Sequence, residues 1–399
     1  MLDKKTENQA AYELAASSWG PEEFAAIERV VFSNRFTMGP EVACLEEEFA
    51  AWHDKKYGVM VNSGSSANLV AVASLFYRTH RPLQRGDEVI VPAISWATTY
   101  HPLQQYGLRL RFVDVDLETF NMDVTKLESA LTPKTRMIVA VSILGNPAAL
   151  DRIRAFADAH GLILLEDNCE SLGAELSDGR KTGTFGDLNT FSFFFSHHIA
   201  TMEGGMVLTD DPELRDLLLS LRAHGWTREL PPGSSLYSAG DDDFFEAYRF
   251  ILPGYNVRPM EMAGAIGREQ LKKLPRFLSE RRRNLALFQR LFADDKRFLI
   301  QRENGNSSSF CFPIVLNPEL RPDRDRIFSS LRKAGIGFRM VTGGCFPRHD
   351  AIRHFDYEIV GNLNNANAIH DYGFFIGNHP FDLTKEIESA HQILDEVFN

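Results

Sequence analysis

The sequence predicts an α/β fold: a mostly parallel sheet flanked by helices, followed by a smaller C-terminal α+β domain. From about residue 57 onward, short apolar strands alternate with helical segments, which is typical of a parallel sheet covered on both faces. The run 137–141 (MIVAV) is apolar throughout, as expected of a strand buried on both faces. From about residue 300 the pattern starts again with the apolar run 310–316 (FCFPIVL), and this restart predicts the second domain.

The other elements follow in order along the chain. Ala, Leu and Phe at helical spacing predict a first helix over residues 10–30. Helical segments at 262–274 and 278–292 lead out of the sheet region, and we expect a large domain over residues 1–275 and a small domain over 276–399. The remaining predicted strands are 59–61, 89–91, 110–115, 162–165, 190–195 and 206–209, and the remaining predicted helices are 67–77, 149–160, 323–334 and 384–398.

The composition is that of an ordinary globular protein with two domains. The chain has 399 residues, of which 44% are hydrophobic and 24% are charged, and this length suits more than one core. No apolar run approaches the roughly 20 residues of a membrane helix. The polar segment 1–7 (MLDKKTE) also lacks the apolar stretch of a signal peptide. We therefore expect a cytoplasmic protein with no membrane partner.

Net charge and cysteine spacing argue against several classes of function. The net charge is −11 and no basic patch is present, which argues against a nucleic acid partner. A nucleotide-linked substrate is compatible with this charge, because it needs only a few local positive groups or a helix N-terminus. The four cysteines, Cys44, Cys169, Cys311 and Cys345, are far apart and form no Cys-x-x-Cys pair. The sequence therefore predicts neither a disulfide framework nor a bound metal.

Two features have the chemistry needed to hold a flat, phosphorylated ligand. In the turn 62–67 (NSGSSA), Gly64 lets the backbone come close, and the helix N-terminus beside Ser65 offers free N–H groups to a phosphate. Such Gly-Ser turns are also common without a ligand. Trp96 follows the strand 89–91, at the sheet edge where ligands bind, and its ring can stack on a flat heterocycle. A tryptophan packed in the core is the alternative.

A carboxylate and a histidine loop supply groups that can move protons. Asp167 ends the strand that begins at 162, and it can keep a pyridine nitrogen protonated so that the ring draws electrons from a neighbouring carbon. Solvation or capping is the other common role of an acidic residue at a strand end. Ser192 has a hydroxyl suited to phosphate, and His197 can act as a base near neutral pH. Neighbouring side chains of an extended chain diverge, so we assign His197 but not His198 to the site.

Together these residues resemble the pocket of the sugar aminotransferases, the sugar-nucleotide branch of the fold-type I enzymes that use pyridoxal 5′-phosphate (PLP). The resemblance runs from Gly39 to beyond residue 380 and includes the runs 144–147 (LGNP) and 252–262 (LPGYNVRPMEM). It implies a fold-type I, aminotransferase-like fold and a homodimer with shared active sites. In that family the second run reaches the neighbouring subunit's pocket, so the resemblance implies that Asn256 contacts the cofactor phosphate held by the partner chain.

The chain departs from this family at the residue that binds the cofactor. A lysine six residues before Glu-Gly-Gly binds the cofactor covalently in the family, and counting back from Glu203 gives His197. An imidazole cannot form that bond. PLP and its amine form, pyridoxamine 5′-phosphate (PMP), are therefore expected to bind without a covalent anchor. Glu170 stands where the family usually has glutamine, and we expect it to hold the cofactor's phenolic oxygen or amine.

The histidine loop and the run 222–228 (RAHGWTR) resemble those family members that remove a hydroxyl group and do not transfer an amine. The resemblance implies a PLP/PMP-dependent dehydratase that takes the C3 hydroxyl from GDP-linked 4-keto-6-deoxy-D-mannose in colitose biosynthesis. It also implies L-glutamate as amino donor, release of ammonia, and His197 as the base. His224 and Arg228 are candidate substrate contacts, and residues within 338–343 or 377–379 are candidate sugar contacts.

Three alternatives stay open at this point. A CDP-linked 3-dehydratase also has histidine in place of lysine, but it carries an iron–sulfur cluster, which needs several closely placed thiolates. A sugar-nucleotide 4-aminotransferase needs a substitute lysine, and Lys181 lies in a separate turn rich in Gly and Thr. A non-catalytic relative would have no use for the ring chemistry that Asp167, Trp96 and Ser192 imply together.

Overall fold

Helices make up much of the chain over residues 12–398, which are the residues that the computed structural model describes. None of the helices in this range is long and apolar enough to cross a membrane. The α-helices are α1 (Pro21–Ser33), α2 (Pro40–Trp52), α3 (Gly64–Tyr77), α4 (Ala97–Gln105), α5 (Leu127–Ala130), α6 (Leu150–His160), α7 (Pro212–Arg222), α8 (Asp243–Glu246), α9 (Glu261–Phe292), α10 (Arg324–Lys333), α11 (Asn364–Tyr372) and α12 (Thr384–Phe398). Short 3₁₀ helices cover Val124–Lys126, Ile143–Gly145, Pro318–Leu320, Val341–Gly343, Phe346–Arg348 and Asp350–His354.

The strands form one large and one smaller sheet, together with a two-stranded ribbon. They are β1 (Tyr57–Val61), β2 (Glu88–Pro92), β3 (Arg109–Val113), β4 (Thr135–Val141), β5 (Ile163–Asp167), β6 (Glu175–Leu176), β7 (Leu188–Ser192), β8 (Gly205–Thr209), β9 (Phe298–Ile300), β10 (Gly305–Asn306), β11 (Cys311–Leu316), β12 (Phe338–Met340), β13 (Tyr357–Ile359) and β14 (Gly373–Gly377).

The large sheet has the strand order β1-β8-β7-β5-β4-β2-β3-β13. Its strands pair in parallel from β7 to β13, whereas β8 runs antiparallel to both β1 and β7. Alternate residues of β4 enter different cores: Val139 packs in the core that includes α3 and α7, and Ile138 packs in the core that includes α6. Helices therefore bury both faces of the sheet, which explains why its strands are apolar throughout. The predicted α/β class is confirmed.

The smaller sheet is antiparallel and has the order β12-β14-β11-β9. Its apolar face packs against Phe288 and Phe292 of α9, Leu331 of α10 and Leu394 of α12, and it forms the expected smaller α+β part. The predicted boundary near residue 275 stays a prediction, because α9 runs through that position and β13 of the C-terminal part joins the large sheet.

The bounds of two predicted helical regions were wrong, although residues 21–30, 262–274 and 278–292 are helical as predicted. Residues 12–20 are not helical, and residues 10 and 11 lie outside the described residues. The first helix begins at Pro21, because proline suits the first helical position and disfavours helix in the residue before it. The predicted segments 262–274 and 278–292 form one continuous helix with Pro275 inside. Leu274 and Leu278 are buried on either side of the proline, so packing outweighs the hydrogen bond that proline removes.

Candidate active site

A cavity of about 520 Å³ opens at the carboxyl ends of the parallel strands, between the large sheet and residues of the C-terminal part. Ligands of parallel α/β sheets bind at this edge. The strand ends and the turns that follow them bring together seven of the predicted site residues, although these residues are far apart in sequence. The seven residues are Gly64, Ser65, Trp96, Asp167, Glu170, Ser192 and His197.

One corner of the cavity combines a helix N-terminus with two serines. The hydroxyl of Ser63 caps α3 by accepting a hydrogen bond from the Ser66 N–H at 3.1 Å, which leaves the N–H groups of Gly64 and Ser65 without intrahelical partners. A Cβ on Gly64 would lie 2.5 Å from Ser192 Cβ, so only glycine allows this close approach. Free N–H groups, the positive end of the helix dipole and the Ser192 hydroxyl together suit a phosphate.

The Asp167 carboxylate is buried and held in one orientation. Its Oδ2 accepts hydrogen bonds from Asn68 Nδ2 at 2.9 Å and Thr99 Oγ1 at 2.7 Å, and its Oδ1 accepts one from the Cys169 N–H at 3.2 Å. Thr190 Oγ1 donates to Asn68 Oδ1 at 2.6 Å, which turns the amide so that its NH₂ faces Asp167. Asp167 thus presents a carboxyl group in a fixed orientation to the cavity. The neighbouring Glu166 faces the opposite side and accepts hydrogen bonds from the backbone N–H groups of Gly183, Phe185 and Gly186.

Trp96 stands at the mouth of the cavity with 60% of its surface exposed. It lies directly before α4, and the alternative of a tryptophan packed in the core is wrong. An exposed indole face in a cavity wall is suited to stack on a planar ring.

His197 lies in the cavity wall, held by packing. Its ring contacts Phe310 edge to face, with the ring centroids 5.1 Å apart, and its Nδ1 lies 3.4 Å from Ser196 Oγ. Burial, helped by the positive charge of Arg281, lowers the pKa of His197 to about 3, so the imidazole is neutral at physiological pH. The next histidine, His198, is buried outside the cavity wall with its Nε2 3.2 Å from the Ser308 carbonyl oxygen. Only the first histidine of the pair is placed to act in the cavity.

The carboxyl group of Glu170 has a raised pKa. Its Oε2 accepts a hydrogen bond from the Leu144 N–H at 2.9 Å and one from Thr342 Oγ1 at 3.4 Å. Burial, with a further contribution from the negative charge of Asp167, raises the pKa of Glu170 to about 7. The cavity therefore contains a neutral base and a carboxyl group that keeps its proton to near neutrality.

Comparison with known proteins agrees with this geometry. The model of the DegT/DnrJ/EryC1/StrS aminotransferase family matches residues 18–395, which is most of the chain. The chain belongs to the DegT/DnrJ/EryC1/StrS aminotransferase family.

One relative and two solved structures show which members of this family the chain is similar to. The GDP-4-keto-6-deoxy-D-mannose 3-dehydratase of Yersinia pseudotuberculosis is 49% identical over 385 residues, which are 96% of this chain and 98% of that protein. The structure of the E. coli GDP-4-keto-6-deoxy-D-mannose-3-dehydratase with bound hydrated PLP has a TM-score of 0.94 at 47% identity, over 97% of this chain and 100% of that one. A structure of GDP-4-keto-6-deoxymannose-3-dehydratase with a trapped PLP-glutamate geminal diamine also has a TM-score of 0.94 at 47% identity, over 96% and 100% of the two chains. The predicted resemblance and the fold class are confirmed.

Three predicted residues lie outside the cavity of this family member. Asn256 is exposed, and its Oδ1 accepts a hydrogen bond from Arg258 Nε at 3.0 Å. His224 and Arg228 are also exposed, and the Arg228 guanidinium lies over the Trp226 ring at 5.1 Å. A single chain therefore does not bring these three side chains to the cofactor corner.

Several residues that support the site were not predicted from the sequence. Asn68 lies one helical turn after Gly64, and Thr99 lies just after Trp96. Because Gly64, Trp96 and Asp167 were predicted at the same edge of the sheet, this spacing could have placed both side chains near Asp167. Phe310 reaches the cavity from the C-terminal part, and no local pattern in the sequence indicates this. Of the two candidate sugar-contact runs, 339–340 and 342–343 line the cavity, whereas Asn378 is buried and hydrogen-bonds the backbone of Arg281 and Ser309.

Residues 12–398 contain no group of three or more His, Cys, Asp or Glu side chains that could hold a metal ion. Cys44, Cys169, Cys311 and Cys345 are all free. An iron–sulfur cluster needs several thiolates close together, so the alternative of a cluster-dependent dehydratase has no cysteine site in this part of the chain.

Proposed function

We propose that this chain is a PLP/PMP-dependent dehydratase that removes the C3 hydroxyl of GDP-4-keto-6-deoxy-D-mannose, with L-glutamate as amino donor and release of ammonia, in colitose biosynthesis. The observation that carries the proposal is His197, which lies in the cavity wall where the family has its lysine. Across residues 12–398, no lysine lines the cavity. The near-full-length similarity to a dehydratase named for this substrate supports a GDP-linked sugar.

The residues of the cavity fit PLP. The start of α3 at Gly64 and Ser65, with the Ser192 hydroxyl, would hold the phosphate. Trp96 would stack on the ring, and Asp167 would keep the ring nitrogen protonated. When bound, the cofactor supplies a cationic ring that takes up the electron pair of a C–H bond broken beside it.

His197 is the proposed base of this reaction. Because burial lowers its pKa to about 3, the imidazole is unprotonated at neutral pH and can accept a proton. Base catalysis of this kind contributes about 10²–10⁴-fold to a rate. A lysine amine in the same position would return the proton at C4 of the sugar and complete a transamination. Without that amine, transamination competes less with loss of the C3 hydroxyl.

We further propose a homodimer that shares its active sites. Asn256 is exposed and does not line the cavity of its own chain, and the family resemblance assigns it to the partner's cofactor. The same part of the chain exposes Phe244, Phe245, Tyr248 and Phe250, and a cluster of large exposed apolar side chains is typical of a subunit interface. Sedimentation should show a dimer, and Asn256→Ala should weaken PLP binding without changing that mass. A cytoplasmic location also remains a prediction.

The direct test supplies the protein with PLP, glutamate and enzymatically made GDP-4-keto-6-deoxymannose and weighs the product. Loss of one oxygen without gain of nitrogen, with release of 2-oxoglutarate and ammonia, is expected. Gain of an amino group would instead support the 4-aminotransferase alternative. The substitute lysine of that alternative, Lys181, does not line the cavity: it donates to the Trp52 carbonyl and lies over the Trp52 ring at 4.3 Å. A protein that leaves the sugar unchanged would support the non-catalytic alternative.

A further inference from the structure

One oxygen of the Glu170 carboxyl group, Oε2, accepts hydrogen bonds from the protein, and the other, Oε1, accepts none from residues 12–398. Both of its donors, the Leu144 N–H and the Thr342 hydroxyl, bond to Oε2. Among residues 12–398, no group donates a hydrogen bond to Oε1, and Glu170 lines the cavity. Leu144 and Thr342 have φ values of 56° and 40°, a left-handed conformation that is costly for residues other than glycine. The backbone thus accepts strain at two positions that fix this one carboxyl group.

The other titratable groups of the cavity are poorly suited to give up a proton. Both oxygens of Asp167 already accept hydrogen bonds from the protein, so neither oxygen is open to a substrate. Burial raises the pKa of the Cys169 thiol well above its ordinary value, so it holds its proton too tightly. Glu203 is exposed and therefore outside the enclosed part of the cavity. Glu170 remains as the carboxyl group with an open oxygen.

The environments of Glu170 and His197 push their proton affinities in opposite directions. Burial disfavours the charged form of each group, so the pKa of the carboxyl rises to about 7 and the pKa of the imidazole falls to about 3. Two titratable groups in one cavity with affinities separated in this way are typical of an acid and a base that work together.

We infer that Glu170 is the general acid of the elimination: its carboxyl gives a proton to the C3 oxygen as that oxygen leaves, while His197 takes the proton of the C–H bond. The C3–O bond breaks with its electron pair on oxygen, and the proton from Glu170 turns that oxygen into water. The electrons of the broken C–H bond form the new double bond, so no oxidant or reductant is needed. Exchange with solvent then returns a proton to Glu170 and removes one from His197.

This inference rests on the proposed function, and one variant tests the acid role of Glu170 separately from that function. Glu170→Gln keeps the size and hydrogen bonding of the side chain but cannot transfer a proton. In a single turnover of the PMP-loaded enzyme with GDP-4-keto-6-deoxymannose, loss of the hydroxyl should slow by about 10²–10⁴-fold. The conversion of PLP to PMP by glutamate should keep its rate. Glu170→Asp should recover part of the lost rate, and the surface variant Glu128→Gln should match the wild type.

A second readout does not depend on the loaded enzyme. Infrared difference spectra of the cofactor-free protein should contain a carboxyl that titrates near neutral pH and is missing in Glu170→Gln. The acid role is contradicted if Glu170→Gln removes the hydroxyl at the wild-type rate, or if it slows both half-reactions equally. It is also contradicted if the wild-type minus Glu170→Gln spectrum contains no carboxyl that titrates near pH 7; the buried Glu166, whose pKa burial raises to about 6, is present in both proteins and cancels in this difference. Wild-type protein that forms no deoxysugar would instead contradict the proposed function.

Discussion

Replacement of Gly64 by alanine tests the phosphate corner of the cavity. An alanine Cβ would lie 2.5 Å from Ser192 Cβ and 3.0 Å from Cys169 Sγ, whereas carbon atoms in contact are about 3.5–4.0 Å apart. Ser192 or the first turn of α3 must therefore move by about 1 Å. Either movement takes a hydrogen-bond donor away from the place where the phosphate would bind.

The expected loss of PLP affinity follows from the loss of one charged hydrogen bond. Such a bond contributes about 1.5–3 kcal/mol, and each 1.4 kcal/mol changes a dissociation constant about tenfold. Gly64→Ala should therefore weaken PLP binding by about 10- to 100-fold. Because the cofactor has no lysine to bind, equilibrium dialysis against PLP measures this constant directly.

A control variant separates this effect from a general effect of alanine. At Gly240 the Cβ would meet only Glu246 Oε1 at 3.1 Å, the end of a flexible side chain, so Gly240→Ala should bind PLP as the wild type does. Should Gly64→Ala fold poorly, Ser192→Ala removes the hydroxyl without a clash and should weaken binding by about tenfold. Wild-type affinity in well-folded Gly64→Ala and Ser192→Ala would refute this placement of the phosphate.

Three further predictions concern the acid and the base. His197→Asn should lower the rate of hydroxyl loss by about 10²–10⁴-fold and leave PLP binding by dialysis unchanged; full activity would exclude His197 as the base. The rate of hydroxyl loss should fall above about pH 7 as Glu170 ionises. Below pH 7 the rate should be constant, since the His197 pKa of about 3 lies far below this range. A Glu170→Gln variant whose rate still falls above pH 7 would contradict Glu170 as the acid. Unfolded Glu170 ionises near its ordinary pKa of 4.5 but the folded form only near 7, so ionisation destabilises the folded wild type as pH rises through this interval. In urea titrations, the free energy of unfolding of Glu170→Gln relative to that of the wild type should increase by up to about 3 kcal/mol between those pH values. A difference that stays constant with pH would contradict the raised pKa.

Local patterns in the sequence were enough to predict the large sheet and the residues at its strand ends. The apolar runs of β1, β2, β4, β5 and β8 stand out because helices bury both faces of these strands. Since parallel strands end at one edge, placing Asp167 and Ser192 at strand ends also placed them near each other. His197 was found by its spacing from Glu-Gly-Gly, which needs the family resemblance and not periodicity alone.

The parts that the sequence did not predict depend on contacts between distant segments. β13 joins the large sheet beside β3, more than 200 residues earlier in the chain, and its three residues carry no distinctive pattern. Likewise, nothing in the run around Thr342 indicates that it would reach Glu170. The environment of Glu170 also comes from long-range packing, so its raised pKa could not be read from the residue type.

Borohydride reduction of the PLP-loaded protein, followed by mass measurement of the denatured chain, tests most directly whether the coenzyme stays unattached. We expect the chain to keep its unmodified mass, because the residue at position 197 is an imidazole and no lysine of residues 12–398 lines the cavity. A chain that gains the mass of the reduced coenzyme would show a covalent link to an amine and would contradict the account.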